Sequence, residues 1–172
     1  LTLRSIAKVY INIMQGTPVL VFLLLMFYVV LAQSGMSAVI VSIITFSMNF
    51  AAYASEIFRH SIENIPHSQT EAGVALGFTK AQTFIYIVLP QALRLIMPSY
   101  KGEVISLVKT TSIVGYIAVA DLTQAGGIIR SRTYDASVPL ILVAIVYFIL
   151  AWLCSKVLDI IGNKIQEYKH IK

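Results

Sequence analysis

Charge is what this chain most lacks. Of its 172 residues only 12% are Asp, Glu, Lys or Arg, against about 25% in an ordinary soluble domain, while 58% are hydrophobic. No charged residue occurs between Lys8 and Glu56, and such a composition belongs to the membrane class. Cysteine is nearly absent as well: Cys154 stands alone inside an apolar run, so no internal disulfide can form and the redox compartment is not readable. No basic segment leads into a short apolar core, so no cleaved signal is expected. The first residue is Leu and not Met, and the chain is expected to be a piece of something longer. No G-x-x-x-x-G-K-[ST] loop is present, nor any Ser/His/Asp or Cys/His grouping set for nucleophilic catalysis. His60 and His67 straddle Pro66 and are not at a helical metal-pair spacing, and His170 is a tail residue. No catalytic residue, metal ligand or resident cofactor is expected.

What the chain has instead is long apolar runs. The uncharged stretch divides at Gln33-Ser34-Gly35 into two pieces, each near the roughly 20 residues that cross a bilayer. Another, Ala136 to Ser155, carries Tyr147 and Trp152 as interface anchors. The runs are continuously apolar and do not alternate as barrel strands do, so the expected fold is all-α, a polytopic transmembrane helical domain. Spans are expected at 18–33, 36–55, 86–108 and 136–156, in a single domain covering 1–172, with a polar loop at 56–83. The net charge of +5 is scattered around these spans without interleaved stacking aromatics, which argues against nucleic acid.

Residues 1–17 carry Arg4 and Lys8 in an amphipathic stretch expected to lie along the membrane surface, with Pro18 opening the first span. Gly35 marks a tight hairpin. The third span is expected to be broken, because Pro90, Arg94, Pro98, Lys101, Glu103 and Lys109 interrupt it, and such positions must face protein or water. The stretch that follows reads as a re-entrant or external connector with a Gly126-Gly127 turn. Four spans put both ends on one side, together with Arg4, Lys8, Arg59, Lys80, Lys156, Lys164, Lys169 and Lys172. The positive-inside rule makes that side cytoplasmic.

The polar loop holds two helix-start signatures. Ser68-Gln69-Thr70-Glu71 and Thr79-Lys80-Ala81-Gln82 both fit the reciprocal capping box, in which a hydroxyl and a carboxylate or amide each satisfy a free backbone N–H. One helix is expected from Ser68 to a glycine stop at Gly77, and a second from Thr79 into the membrane. The first is too short to persist alone, since isolated helices under about 12 residues are marginal in water. It either lies on its own bilayer or offers its small residues Ala72, Gly73 and Ala75 to a cytoplasmic partner.

The sequence Glu71-Ala72-Gly73, then Gly77, then Ile87-Val88-Leu89-Pro90 resembles the EAA motif of permease subunits in binding-protein-dependent ABC importers. Gly16-Thr17-Pro18, "NFAAYASEIFRHSIENIP", "LPQALRLIMP" and "LVKTTSIVGYIAVADLTQAG" are similar to blocks of the polar amino-acid subfamily. The resemblance implies the type I, methionine-importer-like permease fold in the bacterial inner membrane, with the loop and C-terminus cytoplasmic and a further span upstream. It implies a coupling helix (Ser68, Glu71, Ala72, Gly73, Ala75, Leu76 and Gly77) seated on an ABC ATPase dimer, which binds ATP and Mg and hydrolyses the nucleotide. A second permease subunit, identical or related, and an extracytoplasmic solute-binding protein complete the set. The sequence departs from the family at Gly73, where Ala is usual, at Gln15, at Lys101-Gly102 and at Thr110.

Asn49, Tyr53, Lys101, Glu103, Lys109, Thr111 and Ser112 are candidates for the translocation path. For the charged residues the competing role is internal pairing or snorkelling, and for the hydroxyls it is back-bonding to helix carbonyls. Two other functions remain open from the residues alone: an ion-gradient-driven transporter or channel, and a non-transporting membrane scaffold.

Overall fold

A computed structural model of the chain describes residues 2–167; Leu1 and residues 168–172, which include Lys169, His170 and Lys172, lie outside the described residues. Every regular element among the described residues is helical. Two helices are each long and apolar enough to cross a bilayer, Ala38–Glu63 and Ser137–Lys164. Two bent pairs also qualify when each is taken together, Leu3–Gly16 with Val19–Val30 and Lys80–Ile117 with Leu122–Thr133. The chain gathers into two compact units, one made of the residues up to Tyr53 with Val104–Cys154, the other of Ala54–Glu103 with the residues from Ser155 onward.

In the first unit, α1 (Leu3–Gly16) places Tyr10 and Met14 on one side and Arg4, Lys8 and Asn12 on the other. Tyr10 donates its hydroxyl to the Met48 carbonyl, Met14 is buried, and Asn49 Nδ2 donates to the Met14 carbonyl at 3.1 Å. The last four carbonyls of a helix have no partner within it, so Asn49 satisfies one of them from the neighbouring helix. Pro18 cannot continue α1, and the axis bends by 108° into α2 (Val19–Leu25) and the wider π turn Met26–Val30. The expected span 18–33 is therefore helical only from Val19 to Val30, roughly 18 Å at the helical rise. Gly35 reverses the chain with φ +68, as the hairpin reading required.

From Ala38 the helix α3 runs to Glu63, well beyond the expected end at 55. Buried Leu23, Phe46, Val114 and Ile117 form the core of this unit, with Val19, Phe27 and Leu107 packed around them. A short 3-10 segment (Thr111–Ile117) and a left-handed Ala118 end the long helix Leu89–Thr110. Asp121 then caps a further helix by accepting from the Thr123 and Gln124 amides at 3.2 and 2.9 Å. That helix, Leu122–Thr133, contains Gly126 and Gly127, so the expected glycine turn is absent. Gly126 is there for close packing: a Cβ would stand 2.5 Å from Val143 Cγ2.

The second unit holds the end of α3, then α4 (His67–Ala75), α5 (Lys80–Thr83), a π turn (Phe84–Val88) and the first part of α6 (Leu89–Thr110). The expected break at 86–108 does not occur: Pro98 sits inside α6. The π turn immediately precedes Pro90 and widens the backbone where the proline ring needs room. With the Leu122–Thr133 helix as α7, the last helix is α8 (Ser137–Glu167), which passes the expected boundary at 156. In this unit Lys101 of α6 pairs with Asp159 of α8, and the Phe58 and Tyr100 rings meet edge to face at 6.4 Å. Arg59 bridges Glu56 and Glu63, and His60 Nε2 lies 3.2 Å from Glu56.

Candidate functional site: a braced helix in the polar loop

Helix α4 begins one residue earlier than the serine signature predicts. Pro66, with φ −57 and ψ 136, turns the chain into the helix at His67, and the Gln69 amide donates to the Pro66 carbonyl at 3.0 Å. Ser68 falls inside the first turn and makes no cap, so the Ser68–Glu71 box does not form. The proline wins because its fixed φ already sets the entry geometry that a serine cap would supply.

The exit is a Schellman arrangement. The Gly77 amide donates to the Val74 carbonyl at 2.9 Å and the Phe78 amide to the Gly73 carbonyl at 3.1 Å, with Gly77 left-handed at φ +85. The helix itself ends at Ala75, with Leu76 in the cap position, so Gly77 stands just outside it. The second signature forms as expected. Gln82 Oε1 accepts from the Thr79 amide at 2.9 Å, and Thr79 Oγ1 accepts from the Gln82 amide at 3.3 Å. Phe78 and Tyr86 lie 6.4 Å apart between ring centres on the outer side of this elbow.

Gly73 has a different use from the one its size suggests. It is buried, and a Cβ there would lie 2.6 Å from Thr83 Cγ2, 2.8 Å from Thr83 Oγ1 and 2.9 Å from Ile87 Cδ1. Its missing side chain lets α4 sit down on the helix that follows it. Thr83 beneath it is fully buried, and its hydroxyl has no hydrogen-bond partner. The opposite surface is open: Glu71, Ala72 and Ala75 are exposed, and so are Val74 at 53% and Leu76 at 77%. Val74, and Leu76 just past the helix end, are apolar and exposed, and such side chains on a polar loop are ones that a partner can cover.

Sequence reasoning passed over Gln69 and Gln91. Gln91 Nε2 donates to the Ile87 carbonyl at 2.8 Å and to Gln69 Oε1 at 3.1 Å, tying the first turn of α4 to the helix entering the membrane. Nothing local marks this bond, because its partners lie 22 residues apart.

The path candidates separate by what already engages them. Asn49 is bonded to Met14, Lys101 to Asp159, and the Thr111 hydroxyl to the Val108 carbonyl at 2.7 Å. Among the described residues, Tyr53, Glu103 and Lys109 make no side-chain hydrogen bond or ion pair. Ser112 lines an open cavity of about 240 Å3 with Gly115, Tyr116, Asp121, Thr123 and Gln124. No cluster of His, Cys, Asp and Glu able to hold a metal occurs among the described residues.

Comparison with known proteins assigns the family. Residues 2–166 match the family described as binding-protein-dependent transport system inner membrane component, and the chain belongs to it. It is a non-enzymatic membrane subunit, and ATP hydrolysis lies on a partner ATPase. The chain is 36% identical over 168 residues to the L-cystine transport system permease protein TcyB of Bacillus subtilis, covering 96% of this chain and 72% of that one. The crystal structure of an amino acid ABC transporter with histidines superposes with a TM-score of 0.80 at 37% identity, covering 92% of this chain and 75% of its counterpart. The MetNI methionine ABC transporter, in an inward-facing conformation, shares the fold with a TM-score of 0.77 at 23% identity, over 94% of this chain and 74% of that one. The type I importer permease fold expected from the motif is thus the fold observed.

Proposed function

We propose that this permease carries an amino acid across the bacterial inner membrane, with α4 seated in a groove of an ABC ATPase on the cytoplasmic side. The observation that carries the reading is the seating of α4: Gly73 is pressed onto Thr83 and Ile87 while Ala72, Val74, Ala75 and Leu76 are left exposed. A helix used only to close a loop has no need of exposed apolar side chains, and a helix lying in lipid has no need of a stiff glycine elbow. Closure of the ATPase on nucleotide would push α4 as a body, and the elbow would pass that movement to α6. The relatives support an amino-acid cargo by what they are named for. A second permease copy or relative and an external solute-binding protein complete the proposed assembly. Tyr53, Glu103, Lys109 and Ser112 are the proposed path residues, since their polar groups are uncommitted.

The test is a cysteine at Ala72 in a Cys154→Ser background, crosslinked in the assembled transporter. A crosslink to the ATPase whose yield changes with nucleotide is the expected result. Labelling of residue 72 from outside the cell, or uptake that proceeds with no ATPase present, would replace this reading with the ion-gradient alternative.

A further inference from the structure

We propose that Gln91 is a positioning residue for energy coupling, its side-chain amide bracing α4 against the helix that continues into the membrane. The inference rests on the reading of α4 as the ATPase-docking helix. The Gln91 Nε2 group carries two hydrogens, and both are used: one on the Ile87 carbonyl at 2.8 Å, one on Gln69 Oε1 at 3.1 Å. A carbonyl can only accept, so Ile87 fixes which way the Gln91 amide faces, and Gln69 has to present its oxygen.

The brace falls where the rod below α4 is least able to carry a push. The π turn Phe84–Val88 widens the backbone, and Pro90 donates no N–H to the turn before it. Gln91 is fastened to Ile87, inside that turn, and reaches from there to α4. Gln69, Gly73 and Gly77 recur at four-residue spacing from the first turn of α4 to the elbow just beyond its end. The helix is thereby held at its first turn by the amide, at its middle by the glycine seat and at its exit by the left-handed elbow. Without the first-turn contact α4 keeps two fastenings and can pivot about Gly73, and a force applied to its outer face is spent in that pivot before it reaches α6.

The chemistry is asymmetric, and that gives a test which packing alone would not pass. Gln69→Glu keeps an acceptor facing Gln91, whereas Gln91→Glu, equal in size, loses both donors, sets a carboxylate against the Ile87 carbonyl and leaves Gln69 to follow only by turning its own amide over. The complete transporter, with its ATPase and binding protein, is reconstituted in vesicles and uptake per ATP hydrolysed is measured. Gln69→Glu should stay within about twofold of the parent, and Gln91→Glu should fall by on the order of tenfold, the ratio for about 1.4 kcal/mol lost with a part-buried hydrogen bond. Adding Gln69→Lys to Gln91→Glu should restore most of the loss by returning a donor to the pair. Equal behaviour of the two single variants, or full coupling in Gln91→Glu while the Ala72→Cys crosslink to the ATPase persists, overturns the brace and leaves the docking reading standing. Absence of that crosslink in the parent overturns the docking reading, and the brace with it.

Discussion

The Lys101 ammonium stands 2.6 Å from Asp159 Oδ1, an ion pair that joins α6 to α8 within the unit that carries the loop helix. A cation on an apolar helix is costly unless it finds a partner or water, and here it has found a partner. Asp159→Asn should therefore destabilise the permease by about 1 kcal/mol, the scale for a pair that keeps some solvent access. The exchanged pair Lys101→Asp with Asp159→Lys should recover it, as read by the thermal midpoint in detergent. A path role for Lys101 predicts the opposite, a change in the transport KM that the exchange does not repair.

At Gly73 two effects of known sign compete. Alanine gains about 1 kcal/mol of helix propensity, but overpacking a rigid neighbour costs about 1 to 3 kcal/mol. Ile87 Cδ1 can swing aside, whereas Thr83 is β-branched and fully buried, so the clash should win. Gly73→Ala is expected to lower the thermal midpoint. The double variant with Thr83→Ala should recover most of the loss, since it removes the two colliding Thr83 atoms, one of them the unpaired hydroxyl, and leaves only Ile87 Cδ1 to swing aside.

Gly77 offers a cleaner mechanical test, because no atom stands within 4 Å of the position its Cβ would take and only the backbone is at issue. A branched residue at φ +85 is strained by about 1 to 2 kcal/mol, so Gly77→Val should relax the elbow and misaim α4. The expected outcome is normal insertion with ATP hydrolysis that no longer drives uptake. Normal uptake by that variant would remove the elbow from the mechanism.

Asn49 distinguishes a structural from a transport role by kinetics. Asn49→Leu removes the donor to the Met14 carbonyl and should cost about 1 kcal/mol of stability with the KM for the transported solute unchanged. A several-fold rise in KM at unchanged thermal midpoint would place Asn49 in the path after all.

The parts of the site that could be read in the sequence were those whose partners lie within a few residues of each other. The Thr79–Gln82 box and the Gly77 stop both close inside one turn of chain, and both form. Ser68 satisfied the same local pattern and failed, because Pro66 had already set the helix start. Gly126-Gly127 reads as a turn by composition, yet the Asp121 cap and the need to approach Val143 hold it in a helix. Pro98 looked like a break and is carried inside α6, whose 22 residues leave the loss of one N–H a local cost. Gln91 carried no signal, because a glutamine declares its role only when the residue it reaches is in view, and Gln69 comes into reach only after the elbow has folded back.

The right-angled foot formed by α1 has a bearing on how the transporter meets its surroundings. Its axis turns by 108° from α2, the geometry of a helix laid flat beside one that enters a bilayer, and Tyr10 and Asn49 bolt it to α3. Any tilt of α3 then drags an oily, basic skid sideways through the lipid surface. The stickiness of whatever surface that skid rests on becomes part of the load against which each transport stroke is made.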